Sequence, residues 1–315
     1  VKTLIQSLLS FAVFCAAMGA TSLRAAERPL RVAALSTILA EIARAVGGDK
    51  VQVTEVVGPD VDPHTFDPAP ADIRTIVEAD IVFASGLHME SYIDRLVANA
   101  GPEGRVVNVG DALPFVLSLP ANRVEEEIDQ TRELLSADGE KDPHWWHSID
   151  NVLFATDLVR VEYARSRPAW AGVFAHNAQA YEQRLFALQA WASREIAKLP
   201  PARRQLVTSH DAFGYFARAY GFTIHSIGGL STDGEPNAQH LAQLIDLIRH
   251  EHIRAVFAEN SVNPRIVQNL VSETGVHLGG MLYADGLGAA GSDAASYEKM
   301  FQHNVRTIVE ELAAP

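Results

Sequence analysis

Short continuous apolar runs alternate along this chain with stretches whose apolar positions recur every three or four residues. The runs at 30–35, 51–57, 81–84 and 106–109 read as strands, and helical spacing fits 38–46, 71–78 and 92–98. The second half repeats the habit, with strands over 205–208, 223–227, 255–258 and 277–281 and helices over 213–220, 238–249, 265–273 and 295–312. Strand–helix alternation of this kind predicts an α/β protein of two lobes, each a parallel sheet flanked by helices.

A different pattern lies between the halves. Pro168 suits the first turn of a helix, where its missing N–H costs nothing. From there Trp170, Phe174, Ala178, Tyr181, Leu185, Leu188 and Ala192 step by three or four, until Leu199-Pro200-Pro201 stops the run. About 30 residues at 1.5 Å each make a rod of roughly 45 Å, long enough to join the lobes rigidly. The pattern divides the chain into a lobe over 27–165, a connecting helix over 166–200 and a lobe over 201–315.

Residues 1–26 carry another signature. Lys2 precedes an apolar run over 4–20 with no acidic residue, and small residues follow at Ala20-Thr21-Ser22 and Ala25-Ala26. This is the layout of a signal peptide for export, and the run is marginal for the roughly 20 apolar residues a membrane span needs. Cys15, the only cysteine, lies inside it, behind a Phe14 too large for a lipoprotein signal. The exported chain then has no thiol, so any metal must be held by nitrogen and oxygen. A net charge of −13 without basic clusters excludes nucleic acid as a partner.

Three of the twelve histidines occupy places where α/β folds build sites. His64 follows the strand over 51–57, His210 in VTSHDAFGYF follows that over 205–208, and His144 closes an Asp-Pro-His tripeptide. Asp285 follows the strand over 277–281, beside Gly286 and Gly288, which let the backbone turn its carboxylate inward. Asp-Pro-His occurs twice, at 62–64 and 142–144, which predicts one local geometry used twice; the proline lowers the entropy lost in ordering the histidine. In KDPHWWHSID, His147 shares a face with His144 if the segment is helical, so both are candidates. The polar, acidic stretch over 121–141 reads as a mobile surface loop. His250-Glu251-His252 could bind a metal weakly at the surface, but i and i+2 point apart on a helix, which favours a plain surface role.

The segments VVGPDVDPHTFDPAPADIRTIVEADIVFASGLHME, KDPHWWHSIDN, VTSHDAFGYFARAYGF and YADGLG resemble, in order, the signatures of the metal-binding solute-binding proteins of ABC transporters for zinc and manganese. The zinc-type branch is the nearer match. The resemblance implies a metal site in the interlobe cleft with His64, His144, His210 and Asp285 as ligands. Its Asp-Pro-His-x-Trp pattern selects His144, with Trp146 packed beneath the site and His147 supporting it or facing solvent. At the third position manganese members tend to carry a carboxylate, whereas His210 stands here. Three imidazoles and one carboxylate suit Zn²⁺ better than Mn²⁺, with manganese binding as the alternative. The resemblance further implies a monomer in the periplasm, served by an inner-membrane permease and its ATPase and by a periplasmic metallochaperone. A histidine-rich loop of the kind some zinc members carry is absent, and the acidic 121–141 stretch holds its place.

An exported zinc hydrolase is the competing class, and a surface adhesin of the same fold a third. Catalytic zinc keeps one position open for water, whereas these four side chains would fill a tetrahedron. The sequence has no HExxH, no G-x-S-x-G and no phosphate loop. Asp211 and Glu259 could be general bases, but orienting an imidazole suits either better. The reading is a carrier, not an enzyme.

Overall fold

The computed structural model describes residues 28–93, 97, 105–119, 139–234 and 237–314. The segment 1–26 expected to direct export, with Cys15, most of the helix expected over 92–98 and residues 121–138 of the acidic stretch lie outside the described residues.

The first lobe is built on β1 (Leu30–Ala34), β2 (Val51–Glu55), β3 (Ile81–Ala84) and β4 (Arg105–Asn108), in the order β2-β1-β3-β4. All its pairings are parallel. The central strands β1 and β3 are buried almost throughout, as an all-parallel sheet covered on both faces requires. Among the described residues, α1 (Thr37–Gly47) and α2 (Pro70–Glu78) alternate with these strands. Ser36 caps α1 by accepting from the Leu39 N–H, and Pro70 opens α2.

A two-stranded antiparallel ribbon follows, β5 (Ser118–Leu119) with β6 (Glu140–Lys141). The last two residues of the stretch expected to be loop are therefore strand. They deliver the chain to a 3₁₀ turn, Trp145–His147, and to α3 (Ile149–Ser166). The sequence pattern did not disclose this 18-residue helix. Its buried face includes Asn151, Thr156 and Glu162, so the apolar stripe that marks a helix is interrupted.

Pro168–Trp170 forms a 3₁₀ turn, and the connector α4 runs over Ala171–Ile196, 26 residues. Its buried side chains are Phe174, Ala178, Tyr181, Leu185, Leu188, Ala192 and Ile196, the stripe expected from the sequence, extended by one turn. At 1.5 Å per residue it is about 39 Å long.

The second lobe repeats the plan with β7 (Gln205–Thr208), α5 (Gly214–Tyr220), β8 (Thr223–Ser226), α6 (Ala238–His250), β9 (Ala255–Val256), α7 (Arg265–Thr274), β10 (His277–Leu278) and α8 (Tyr297–Ala313). Its sheet is parallel, in the order β10-β9-β7-β8. The connector is not a free rod between lobes. One continuous apolar core takes in Leu30 and Phe83 of the first sheet, Trp145, Tyr163, Phe174 and Leu185 of the middle helices, and Leu206, Phe257 and Phe301 of the second lobe. Smaller cores lie on the outer faces of the two sheets. Each fully buried large apolar side chain contributes about 1.5–3 kcal/mol of transfer free energy, so the shared core resists wide separation of the lobes. Among the described residues no helix is long and apolar enough to cross a membrane.

Candidate metal centre

Four loops converge between the sheets. His64 lies in the loop after β2, His144 just beyond β6, His210 just beyond β7 and Asp285 beyond β10. All four are buried, and one donor atom from each falls within 4.8 Å of the others. The Nε2 of His144 is 3.2 Å from that of His64 and 3.3 Å from that of His210. Asp285 Oδ1 stands 3.3 Å from His210 Nε2, 3.4 Å from His144 Nε2 and 3.8 Å from His64 Nε2.

These separations have a simple geometric meaning. Four ligands at zinc bond lengths of 2.0–2.1 Å sit at the corners of a tetrahedron with edges of about 3.3 Å. Among the described residues Asp285 Oδ1 is buried and has no well-formed hydrogen bond; the groups that face it are the three imidazole Nε2 atoms. A bare carboxylate oxygen turned toward three imidazole nitrogens is a corner made for a shared cation, so the donor set fits a bound divalent ion.

The surrounding contacts fix which nitrogen each ring offers. His144 donates from Nδ1 to Asp142 Oδ1 at 2.8 Å, and His210 donates from Nδ1 to Glu259 Oε2. Both rings are thereby oriented with Nε2 facing the centre. Glu259 Oε1 also accepts the backbone N–H groups of Ser209 and His210 at 2.9 and 3.2 Å, which locks the turn after β7.

The repeated tripeptide gives the repeated geometry. Asp62 Oδ1 accepts the His64 N–H at 2.9 Å, and Asp142 Oδ1 accepts the His144 N–H at 2.9 Å, two matching Asx turns across a proline. Asp142 presses against the start of α5, where a Cβ on Gly214 would come within 2.8 Å of its Oδ2. Glycine is what allows that approach.

Asp285 is placed largely by the first lobe and the segment that follows it. The carbonyl of Ala284 accepts from Trp146 Nε1 at 2.8 Å and from His147 Nε2 at 2.9 Å. Thr37 Oγ1 accepts the Leu287 N–H at 2.7 Å and lies 2.8 Å from where a Cβ on Gly286 would stand. His147 is thus outside the donor cluster. It does not face solvent, which corrects one of the expected alternatives: it is 1% exposed and stacks on Phe213 with ring centroids 4.4 Å apart. Trp146 packs edge-on against His144 at 5.5 Å.

Proton affinities in the cluster diverge. Burial pushes His64 down to about 4, against the pull of Asp285 and with help from His144 and His210. Burial works the same way on His144, but the carboxylates of Asp142 and Asp285 outweigh it and raise the pKa. His210 is held well above the ordinary range, because Glu259 and Asp285 overcome its burial. Burial would raise Asp285; the charges on His210, His144 and His64 instead hold it well below the carboxylate range. The cluster thus balances one carboxylate with protons that a cation can replace.

Sequence reasoning missed Ser261, whose Oγ donates to Asp285 Oδ2 at 2.6 Å, and Thr37. Neither belongs to a motif; each is found only through the partner it meets in space.

Two parallel-sheet lobes on one long helix, with a buried His₃Asp cluster between them, define a class of protein that holds a metal ion in its cleft. Residues 32–311 match the family model described as zinc-uptake complex component A, periplasmic. The chain belongs to this family, the metal-binding solute-binding proteins of ABC transporters that include both zinc and manganese members. It is 35% identical over 294 residues to the manganese-binding lipoprotein MntA of Bacillus subtilis (strain 168), covering 92% of each chain. It is 31% identical over 305 residues to the zinc-binding protein TroA of Treponema pallidum (strain Nichols), covering 95% of this chain and 94% of that one. The solved structure of the periplasmic zinc-binding protein TroA from Treponema pallidum superimposes with a TM-score of 0.81 at 30% identity, over 91% of this chain and 100% of that one.

Proposed function

We propose that this chain is the zinc-binding component of an ABC importer, which captures Zn²⁺ in the periplasm and delivers it to a membrane permease and its ATPase. The observation that carries the proposal is the bare, buried Oδ1 of Asp285 facing the Nε2 atoms of His64, His144 and His210. Zinc is the substrate here, held by four side chains and passed on unchanged. Three imidazoles and one carboxylate form a borderline-soft, four-coordinate set that favours Zn²⁺ over the oxygen-rich shell of Mn²⁺. Four protein donors leave a tetrahedral ion no position for water, which argues against hydrolytic chemistry.

Capture joins the lobes. His64 and His144 come from the residues 27–165 and His210 and Asp285 from 201–315, so one ion ties both across the cleft. The core shared with the connector limits the accompanying motion to small tilts and loop ordering. Manganese is the second reading, favoured by the 35% identity to a relative named for that metal.

The test is the metal content and stoichiometry of the purified chain, followed by competition titration with zinc and manganese. One zinc per chain, bound far more tightly than manganese and lost in His210→Ala, is the expected result. A chain that binds neither metal, or that hydrolyses esters or β-lactams in proportion to its zinc, overturns the proposal.

A further inference from the structure

The two oxygens of Asp285 are treated differently by their surroundings. Oδ2 receives the Ser261 hydroxyl at 2.6 Å, the length of a charge-assisted O–H···O⁻ hydrogen bond. Among the described residues Oδ1 has no well-formed hydrogen bond and faces the three imidazoles. We propose that Ser261 sets the coordination number of the bound metal, by holding Asp285 as a one-oxygen donor, and thereby tilts the site toward zinc. The inference rests on the metal-carrier reading and deepens it.

The backbone on both sides of Asp285 is already tied down: the Ala284 carbonyl by Trp146 and His147, the Leu287 N–H by Thr37. Rotation about the Cβ–Cγ bond remains as the freedom that decides how many oxygens reach an ion. A carboxylate can bind through one oxygen or two, and turning Oδ2 inward would add a fifth donor. Ser261 opposes that turn, because Oδ2 would have to give up its hydrogen bond.

Ser261 is itself anchored. It lies in a turn beyond β9 that is closed by the Val262 N–H donating to the Glu259 carbonyl at 3.4 Å. The flanking ladder to the Asp285 loop runs through Asn260 N–H to the Leu282 carbonyl at 3.1 Å and Leu282 N–H to the Ala258 carbonyl at 2.8 Å. Glu259, two residues earlier, orients His210 through Nδ1. One short turn thus positions two of the four donors. Zinc is satisfied by four ligands, whereas manganese prefers more oxygens, so restricting the carboxylate to one oxygen penalises manganese more than zinc.

Ser261→Thr and Ser261→Val test this in the full exported chain, because their side chains have nearly the same shape and differ in the hydroxyl. Competition titrations would measure Zn²⁺ and Mn²⁺ affinity for each variant, and visible absorption of the Co²⁺-loaded chain would report coordination number, since four-coordinate Co²⁺ absorbs far more strongly than five- or six-coordinate Co²⁺. Ser261→Val is expected to lower the zinc-over-manganese preference about tenfold, the scale of one charge-assisted hydrogen bond, and to weaken the Co²⁺ band. Ser261→Thr is expected to keep both as in the parent. Equal losses of both metals in the Val variant, or an unchanged preference and Co²⁺ spectrum with zinc still bound, overturn the role assigned to Ser261. Failure of the parent chain to bind any of the three metals instead overturns the carrier reading beneath it.

Discussion

Glu259 grips His210 from two sides. Its Oε2 accepts the imidazole Nδ1–H while its Oε1 accepts the backbone N–H of the same residue at 3.2 Å, and Glu259 is itself 3% exposed. Both carboxylate oxygens are in use, and Gln can offer only one. Glu259→Gln should therefore fold but weaken zinc binding by about 10- to 100-fold, the usual cost of disturbing a partner of a ligating histidine. Competition with a chelator of known affinity checks this; unchanged affinity would remove Glu259 from the orientation of His210.

The two histidines of the Trp-Trp segment should separate cleanly. His144→Ala removes a donor and should cost zinc affinity by orders of magnitude. His147→Ala removes a ring stacked on Phe213 and the hydrogen bond to Ala284, so it should lower stability by about 1–3 kcal/mol while reducing affinity much less. Zinc titration and thermal melting of the metal-free proteins measure the two effects. An affinity loss in His147→Ala equal to that in His144→Ala would contradict the assignment.

Binding should release protons. Zinc requires neutral imidazoles. His64 is already neutral at pH 7, because its pKa lies near 4, whereas His144 and His210 are raised. Affinity should therefore fall as pH drops from 8 to 5, as protons on His144 and His210 compete with the ion. Calorimetry in buffers of different ionisation enthalpy should find protons released as zinc binds, because His144 and His210 hold theirs more tightly than free imidazoles do. A pH-independent affinity would show that neither ring holds a proton in the metal-free state.

Glu41 should give the metal-free protein an unusual stability profile. It accepts the Tyr297 N–H at 2.8 Å and the Tyr181 hydroxyl at 3.3 Å, joining α1, the connector and the start of α8. Burial, with Glu298 nearby, pushes its carboxyl up to about 7 from an ordinary 4.5. The folded chain then binds a proton more tightly than the unfolded one. The contribution is fully present below about pH 4.5 and is lost as pH rises through 7, a change of order 3 kcal/mol. Glu41→Gln keeps an acceptor for Tyr297 and should flatten this part of the denaturant-unfolding profile between pH 5 and 8. The same slope in parent and variant would disprove the attribution.

Much of the architecture was legible because local patterns carry it. The strand and helix runs follow from apolar periodicity, and the stripe from Phe174 to Ala192 gave the connector because its buried face is uninterrupted. Helix α3 was invisible for the opposite reason. Asn151, Thr156 and Glu162 occupy its buried face, and each has a partner there: Asn151 donates to the Trp145 carbonyl just before the helix, Thr156 to the Val152 carbonyl one turn back, and Glu162 pairs with the distant Arg105 at 2.9 Å.

By itself, the sequence determined which segments could be strands or helices and that two Asp-Pro-His tripeptides would turn alike. An Asx turn is a local event, closed within three residues, so its residues suffice to specify it. The tertiary structure alone decided which donor atoms meet, that His147 turns away to hold the Ala284 carbonyl, and that Ser261 meets Asp285. Those relationships depend on how two sheets pack about a shared core, and the positions of side chains 24 to 138 residues apart are set by that packing, not by any neighbour in the chain.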